Sequence, residues 1–456
     1  MKTADHPLSA DFDDSDIVRA EDVFVFSAGA SSYLFLVNGS QIFHIDEDVA
    51  AEFRHFIDSK NSGEVNVLFR KYGLNTRALI DDKPPDSLPI RSLSLAIAQK
   101  CNLGCSYCYA QEGSFGGPAK NMTTEIAMAS VERLIGGAGP GERVNLAFMG
   151  GEPLINRQLL RDATRYATGL ATERDVKIGF SVTTNGTLLS PQDGEFFEEH
   201  GFAVTISLDG TGSDHDQLRP FKSGRGSFDH IMQRIDPLLR MQHRMQISAR
   251  VTVTPRNLNL LDTLQSLIDK GFHSVGFSPM LAAPNGKEEM SKADLQRMLA
   301  EMIKCGERLE QSILHGRRFP FSNAINALRE IHLGTHRPYP CGAGAGYLGV
   351  SADGDLAACH RFVGNPKGAM GNIRSGLDAQ ARQRWLSERH VHRQQPCNQC
   401  WARYLCGGGC HHEVIERGRP ACDYIRGWLA YCLKAYARLI DTRPDYFNPA
   451  VASSSN

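Results

Sequence analysis

Between residues 92 and 316 the chain alternates six times between a short apolar strand and an amphipathic helix, and few folds accept that pattern. Strand candidates fall at 93–98, 144–149, 178–183, 204–208, 247–254 and 275–280. Among the intervening helices, Ala127, Val131, Leu134 and Ile135 share one face, and Leu260, Leu264, Leu267 and Ile268 share another. That spacing marks a helix with one buried side. Parallel strands joined through a helix cross over right-handedly. Six such units predict an α/β fold with a curved parallel sheet and helices outside it. Loops at the C-terminal ends of the strands are where such sheets place their chemistry.

The loop after the first of these strands carries Cys101, Cys105 and Cys108 in a C-x3-C-x2-C spacing. A four-iron cube has four irons, each needing one outside ligand, and thiolates supply such ligands. Three cysteines leave one iron open to bind a small molecule and pass it an electron. A structural zinc site is the alternative. Tetrahedral zinc wants four ligands, and no His or fourth Cys follows within the loop.

The wider composition fits this reading. The 50 basic and 51 acidic side chains leave a net charge of −1, so no global field pulls the chain toward nucleic acid or an anionic membrane. The N-terminus is acidic (Asp5, Asp11, Asp13, Asp14, Asp16) and lacks a signal peptide's basic and apolar regions. No run approaches the roughly 20 apolar residues of a membrane span. A cytoplasmic chain is expected, and its twelve cysteines then point to metal or redox chemistry rather than disulfides.

Further motifs close the later strands. Gly150-Gly151-Glu152-Pro153 follows the second, pairing two glycines that let backbone approach a ligand closely with a carboxylate. Thr184 and Asn185 end the third, where a hydrogen-bonded Asn-Gly turn is an equal reading. Ser207 and Asp209 end the fourth, with His215, Asp216 and Arg219 just beyond as either cavity groups or a salt-bridged surface loop; His215 reads as structural and Arg219 stays open between the two. Arg250 lies within the fifth, where a charge needs a partner. A second cysteine group comprises Cys341 and Cys359, then Cys397, Cys400, Cys406, Cys410 and Cys422. Two zinc sites are its structural alternative.

Taken together, these motifs resemble the radical S-adenosylmethionine (SAM) enzymes over about residues 92–435. The resemblance implies a partial (β/α)6 barrel in which Cys101, Cys105 and Cys108 hold a [4Fe-4S] cluster and SAM chelates the open iron. It places Tyr107 near the adenine, Gly150, Gly151 and Glu152 at the SAM amino group, and Thr184 and Asn185 about the ribose. Ser207 or Asp209 would touch SAM or substrate, and Arg250 would meet the SAM carboxylate. The second cysteine group resembles the SPASM extension with two auxiliary [4Fe-4S] clusters, three clusters in all. Cys341, Cys359 and Cys410 would hold the first auxiliary cluster. Cys397, Cys400, Cys406 and Cys422 would hold the second. Residues 335–340 contain no further cysteine, so the first auxiliary cluster would keep an open iron or take another ligand. Cys305 and Cys432 read as packed thiols on helices.

Residues 1–88 read as a small α+β domain, 89–320 as the barrel, 321–440 as the SPASM domain and 441–456 as a tail. In the first, strands at 32–37 and 41–45 flank Asn38-Gly39, a tight-turn signal, and 49–57 repeats at helical spacing. This resembles leader-peptide recognition domains, which add an extended peptide as a strand; a plain stabilising domain is the other reading. The expected partners are a peptide or small protein substrate with a leader sequence, and a flavodoxin- or ferredoxin-type electron donor. The segments around Cys341 and Cys406 most resemble the maturases of quinohemoprotein amine dehydrogenase, which implies Cys-to-Asp/Glu thioether cross-links. Sulfatase-maturase-like oxidation of Cys or Ser to formylglycine is the alternative. A non-catalytic iron–sulfur carrier or peptide scaffold is the second alternative.

Overall fold

The computed structural model describes residues 19–59, 62–74, 80, 83 and 88–447. The acidic N-terminus, the 81–86 linker apart from Lys83, and the 451–456 tail lie outside the described residues.

Near the N-terminus, β1 (Val23–Ala28), β2 (Ser31–Leu36) and β3 (Gln41–Ile45) form an antiparallel sheet in that order. Helices α1 (Glu47–Ser59) and α2 (Ser62–Lys71) follow. The expected hairpin is β2–β3, and β1 is a strand the sequence reading did not include. The sheet has two buried faces. Val23, Leu34 and Leu36 join Phe53, Phe56 and Phe69 in a small separate core. Phe26, Tyr33 and Phe35 face the other way and join the main core, so this unit is packed against the body.

The six expected barrel strands are all present. They are β4 (Ser92–Gln99), β6 (Arg143–Gly150), β7 (Lys177–Thr184), β8 (Ala203–Ser207), β9 (Gln246–Val253) and β10 (Ser274–Pro279), with a short β5 (Lys120–Asn121) pairing antiparallel to the end of β4. They run parallel in the order β10-β9-β8-β7-β6-β4. Helices α3 (Thr124–Gly136), α4 (Arg157–Glu173), α5 (Pro191–His200), α6 (Ser213–Leu218), α7 (Phe228–Leu239) and α8 (Leu260–Asp269) fall between them, and α9 (Lys292–Leu314) and α10 (Ser322–His332) follow β10. In β9 the residues Ile247, Ala249, Val251 and Val253 are buried, while Arg250 and Thr252 of the alternate set line a cavity. This period of two puts apolar side chains under the helices and polar ones in the lumen. In β4 Leu93 to Gln99 are all buried, because β4 is covered on both faces.

The cysteine-rich region is grown onto this sheet. Strand β11 (Tyr347–Val350) pairs parallel to β4, with Tyr347 opposite Ser92 and Val350 opposite Leu95. Strands β12 (Asp355–Ala357), β13 (Ala369–Asn372) and β14 (Gly376–Leu377) continue it antiparallel. These segments of two to four residues are too short to leave a periodic signal in sequence. Helices α11 (Ala379–Arg389), α12 (Arg403–Cys406), α13 (His411–Arg417) and α14 (Cys422–Thr442) complete the chain. Cys305 and Cys432 are fully buried on α9 and α14.

Candidate active site and auxiliary thiol sets

The loop between β4 and β5 is pinned from below. Gly104 N–H donates to the Pro220 carbonyl at 2.8 Å, and Cys108 N–H to the Cys105 carbonyl at 3.3 Å. All three thiols line a cavity of about 390 Å3 at the C-terminal ends of the barrel strands, with Gly150, Gly151, Thr184, Asn185, Ser207 and Arg250 around it. That size lies within the roughly 300–1,000 Å3 of small-molecule sites.

Burial raises the Cys101 thiol and pushes Cys105 up to about 12. Burial thus disfavours the thiolate, the form that metal coordination requires and that a metal's charge stabilises. Leu103 N–H and Asn185 Nδ2 reach the Cys101 sulfur at 3.5 and 3.7 Å, contacts of the kind that tune an iron–sulfur centre.

Two of the expected SAM contacts occupy different roles. Glu152 is fully buried; its carboxylate accepts from Leu154 N–H at 3.0 Å, Thr184 Oγ1 at 2.8 Å and Asn185 N–H at 2.8 Å. It braces the polar rim rather than facing the cavity. Asp209 is also fully buried. It accepts from the Tyr107 hydroxyl, from Thr252 N–H at 2.8 Å and from Arg219 at 3.4 Å. Tyr107, Ser207, Thr184, Asn185 and Arg250 do line the cavity.

The glycine pair serves first to let backbones cross. A Cβ on Gly150 would sit 2.3 Å from the Ala98 carbonyl oxygen, and one on Gly151 2.4 Å from that of Lys100. The end of β6 therefore lies directly on the start of the cysteine loop, and any side chain there would push the loop away.

Arg219, which sequence left between two readings, belongs to the cavity. Its guanidinium binds the Tyr107 hydroxyl at 2.8 Å and pairs with Asp209, the side chains being 12 % and 0 % exposed. His215 and Asp216 are structural. His215 Nδ1 accepts from Asp209 N–H at 3.2 Å and its Nε2 meets Ser227 Oγ at 2.9 Å. Asp216 accepts from the backbone N–H groups of Ser227 and Phe228, holding the start of α7. Arg219→Met should destabilise the chain by about 3–5 kcal/mol, because it leaves Asp209 buried without its counter-ion. A lowered denaturant midpoint measures this, and an unchanged one would show the pair to be dispensable.

The same cavity is also lined by Cys410, Glu413, His360 and Arg361; the sequence reading had Cys410 as an auxiliary-cluster ligand and did not name the other three. Arg361 pairs with Glu413 at 2.8 Å and reaches the Cys410 sulfur at 4.0 Å. His360 Nδ1 meets the Tyr347 hydroxyl at 2.8 Å, and that hydroxyl meets Ser94 Oγ at 2.8 Å. The signal available in sequence was only adjacency to Cys359 and Cys410.

The auxiliary cysteines lie in two neighbouring places, with Cys410 close to both. Cys359 lies within electrostatic reach of Cys410 and Cys341, and burial pushes it up to about 12. Cys397, Cys400, Cys406 and Cys422 line one separate, smaller cavity of about 60 Å3. Burial pushes Cys397 up to about 11. Cys410 contributes to the walls of both cavities. Among the described residues no group of three or more His, Cys, Asp or Glu side chains is placed to hold a single metal ion; the first loop's thiols and the Cys397, Cys400, Cys406 and Cys422 set each line a common cavity. Cys432 lies ten residues beyond Cys422 on α14 and outside that cavity.

A family model of the radical SAM superfamily matches residues 95–267, the barrel with the cysteine loop. A cysteine-type anaerobic sulfatase-maturating enzyme of Clostridium novyi is 30 % identical over 290 residues, covering 60 % of this chain and 75 % of the relative. A serine-type anaerobic sulfatase-maturating enzyme of Klebsiella aerogenes is 26 % identical over 363 residues, covering 75 % of this chain and 85 % of the relative. The chain belongs to the radical SAM superfamily and is an enzyme of that class. Within it, the chain stands close to the SPASM-type anaerobic sulfatase-maturating enzymes. A solved structure described as native anSMEcpe with bound AdoMet shares the fold, with a TM-score of 0.64 and 21 % identity over 78 % of this chain and 99 % of that one. Another contains the same protein with AdoMet and a Cp18Cys peptide. These relatives are of the type held as the alternative, and they do not support the amine dehydrogenase maturase reading. Among the described residues no helix is long and apolar enough to cross a membrane.

Proposed function

We propose that this enzyme oxidises a side chain of a peptide or small protein, converting a Cys or Ser to formylglycine in the manner of its sulfatase-maturating relatives. One observation carries the reading: a single cavity is lined both by Cys101, Cys105 and Cys108 and by Cys410, His360, Arg361 and Glu413. A substrate residue entering it would meet the thiol set proposed to generate a radical and a cysteine of the set proposed to take the surplus electron. The anSMEcpe structure with a bound peptide supports a peptide as the substrate class.

Cys101, Cys105 and Cys108 would hold a [4Fe-4S] cluster that, together with SAM, would supply the radical chemistry. The chain's own residues do the rest. Gly150 and Gly151 keep the floor thin, Thr184 and Asn185 present polar groups steadied by buried Glu152, and Arg250 offers a fixed cation. The Tyr107–Asp209–Arg219 cluster locks the ring of Tyr107 in the cavity wall. Enclosure by the SPASM region excludes water that would quench a radical. Three clusters per chain fit the three thiol sets.

The second reading, a thioether cross-link, is favoured by the first auxiliary set having only Cys341, Cys359 and Cys410 as its cysteines, which leaves an iron for a substrate thiolate. Mass spectrometry of anaerobically treated peptides separates the two. Formylglycine gives a hydrazide-reactive aldehyde. A thioether consumes a thiol and forms no carbonyl. Neither product on any Cys- or Ser-containing peptide sinks the proposal.

The leader of such a substrate would add to the edge of β3. A groove of about 170 Å3 runs there, between Gln41, Ile42 and Phe43 and the helical residues Ile331, His332 and Tyr436. Ile42→Asp should raise KM for a leader-bearing substrate about tenfold, which is ~1.4 kcal/mol, leaving uncoupled SAM cleavage unchanged. An unaltered KM would remove this role from the groove.

A further inference from the structure

Among the described residues, one of the largest fully buried side chains is an arginine, Arg403. It stands between two cysteines of the second auxiliary set, Cys400 and Cys406, and lines the cavity they share with Cys397 and Cys422. Its partners lie almost four hundred residues earlier. The guanidinium pairs with Asp22, the two side chains being 1 % and 2 % exposed. It also donates to Asn38 Oδ1 at 2.9 Å, to the Glu21 carbonyl at 3.1 Å and to the Cys400 carbonyl at 3.2 Å. The same guanidinium thus holds the N-terminal sheet and the backbone of a candidate cluster ligand.

Neighbouring contacts repeat the connection. Trp401 stacks on Phe24 with ring centroids 4.0 Å apart and planes 7° from parallel. In the β2–β3 turn, Gly39 N–H donates to His336 Nε2 at 2.8 Å and Ser40 Oγ to the Thr335 carbonyl at 3.3 Å. The following Arg337 N–H donates to the Tyr404 carbonyl at 3.1 Å. The turn therefore sits on the junction between the segment entering Cys341 and the segment joining Cys400 to Cys406.

A buried ion pair contributes little net stability when intact, but removing one partner leaves an uncompensated charge out of water. With the N-terminal sheet undocked, Arg403 faces that situation inside the wall of the thiol cavity. Its escape toward solvent would drag the Cys400–Cys406 loop apart. Conversely, a loop left unshaped by its cluster has no reason to present Arg403 to Asp22.

We propose that docking of the N-terminal sheet and assembly of the second auxiliary iron–sulfur centre are one linked equilibrium. Arg403 is the positioning residue and Asp22 the group that holds it. This rests on the reading that Cys397, Cys400, Cys406 and Cys422 bind a cluster. The N-terminal unit is then part of the metal site's architecture, whatever peptide it also binds.

Two variants of the full chain test it, each reconstituted anaerobically with iron and sulfide. Asp22→Asn keeps the side chain's shape and removes its charge. It should lose about four of about twelve irons, while 5′-deoxyadenosine production by the first thiol set stays at the wild-type level. The mirror experiment removes the centre. In Cys422→Ala, amide hydrogen exchange should rise at residues 22–24 and 38–40, far from the substitution in sequence. Full iron content in Asp22→Asn overturns the proposal. So does unchanged exchange in Cys422→Ala, which also decides the matter if Asp22→Asn does not fold. If the wild-type chain itself binds no iron at the second set, the underlying cluster reading fails instead.

Discussion

Cys105→Ala abolishes SAM cleavage. The three thiols of the loop line the main cavity, and among the described residues the other cysteine lining it, Cys410, belongs to the auxiliary region. A cluster that loses one of three protein ligands has two vacant irons and no fixed orientation toward Gly150, Gly151 and Asn185. The loop cannot rearrange to compensate. Gly104 is tied to Pro220, and Gly113 is packed so closely that a Cβ would lie 2.8 Å from the Cα of Gly151. The expected result is loss of at least about a thousandfold in 5′-deoxyadenosine formation with dithionite, equal to ~4 kcal/mol in barrier. Wild-type turnover in the variant would remove the cluster assignment.

Cys359→Ala gives the opposite split. SAM cleavage persists and peptide product disappears. Cys359 follows β12, on the extension of the sheet beyond β4, and sits with Cys341 and Cys410 rather than with the first set. Its loss disables the first auxiliary set while leaving the Cys101, Cys105 and Cys108 loop and the β6 crossing intact. Radical generation therefore continues without productive removal of the second electron. Chromatography should show 5′-deoxyadenosine, and mass spectrometry should show unmodified peptide. Loss of 5′-deoxyadenosine in a folded, iron-containing variant would mean that the two centres are not functionally separate.

Much of this geometry was legible before any coordinates. The six parallel strands were readable because each carries four or more consecutive residues with a buried face, and the pattern repeats with a helix between. The cysteine groups stood out by spacing, and their division into cluster sets followed from the family resemblance. Three kinds of feature were not. Strand β11 is four residues long and gains its identity only by pairing with β4, some 250 positions earlier. Glu152 looked like a ligand-facing acid, because a carboxylate after two glycines does not reveal that Thr184 and Asn185 will fold over it. Arg361 and Glu413 carried no motif of their own; they reach the cavity because Cys359 and Cys410 are drawn to one place.

The amino-acid sequence by itself determined the class of chemistry and the barrel that houses it, since ligand spacing and hydrophobic period are local properties, complete within a few consecutive residues. Only the tertiary structure decided which polar groups face the cavity and which brace it. It alone revealed that the N-terminal sheet is pinned to a cysteine loop through Asp22 and Arg403. Burial and charge pairing depend on what the rest of the chain brings alongside, and no stretch of sequence carries that information alone.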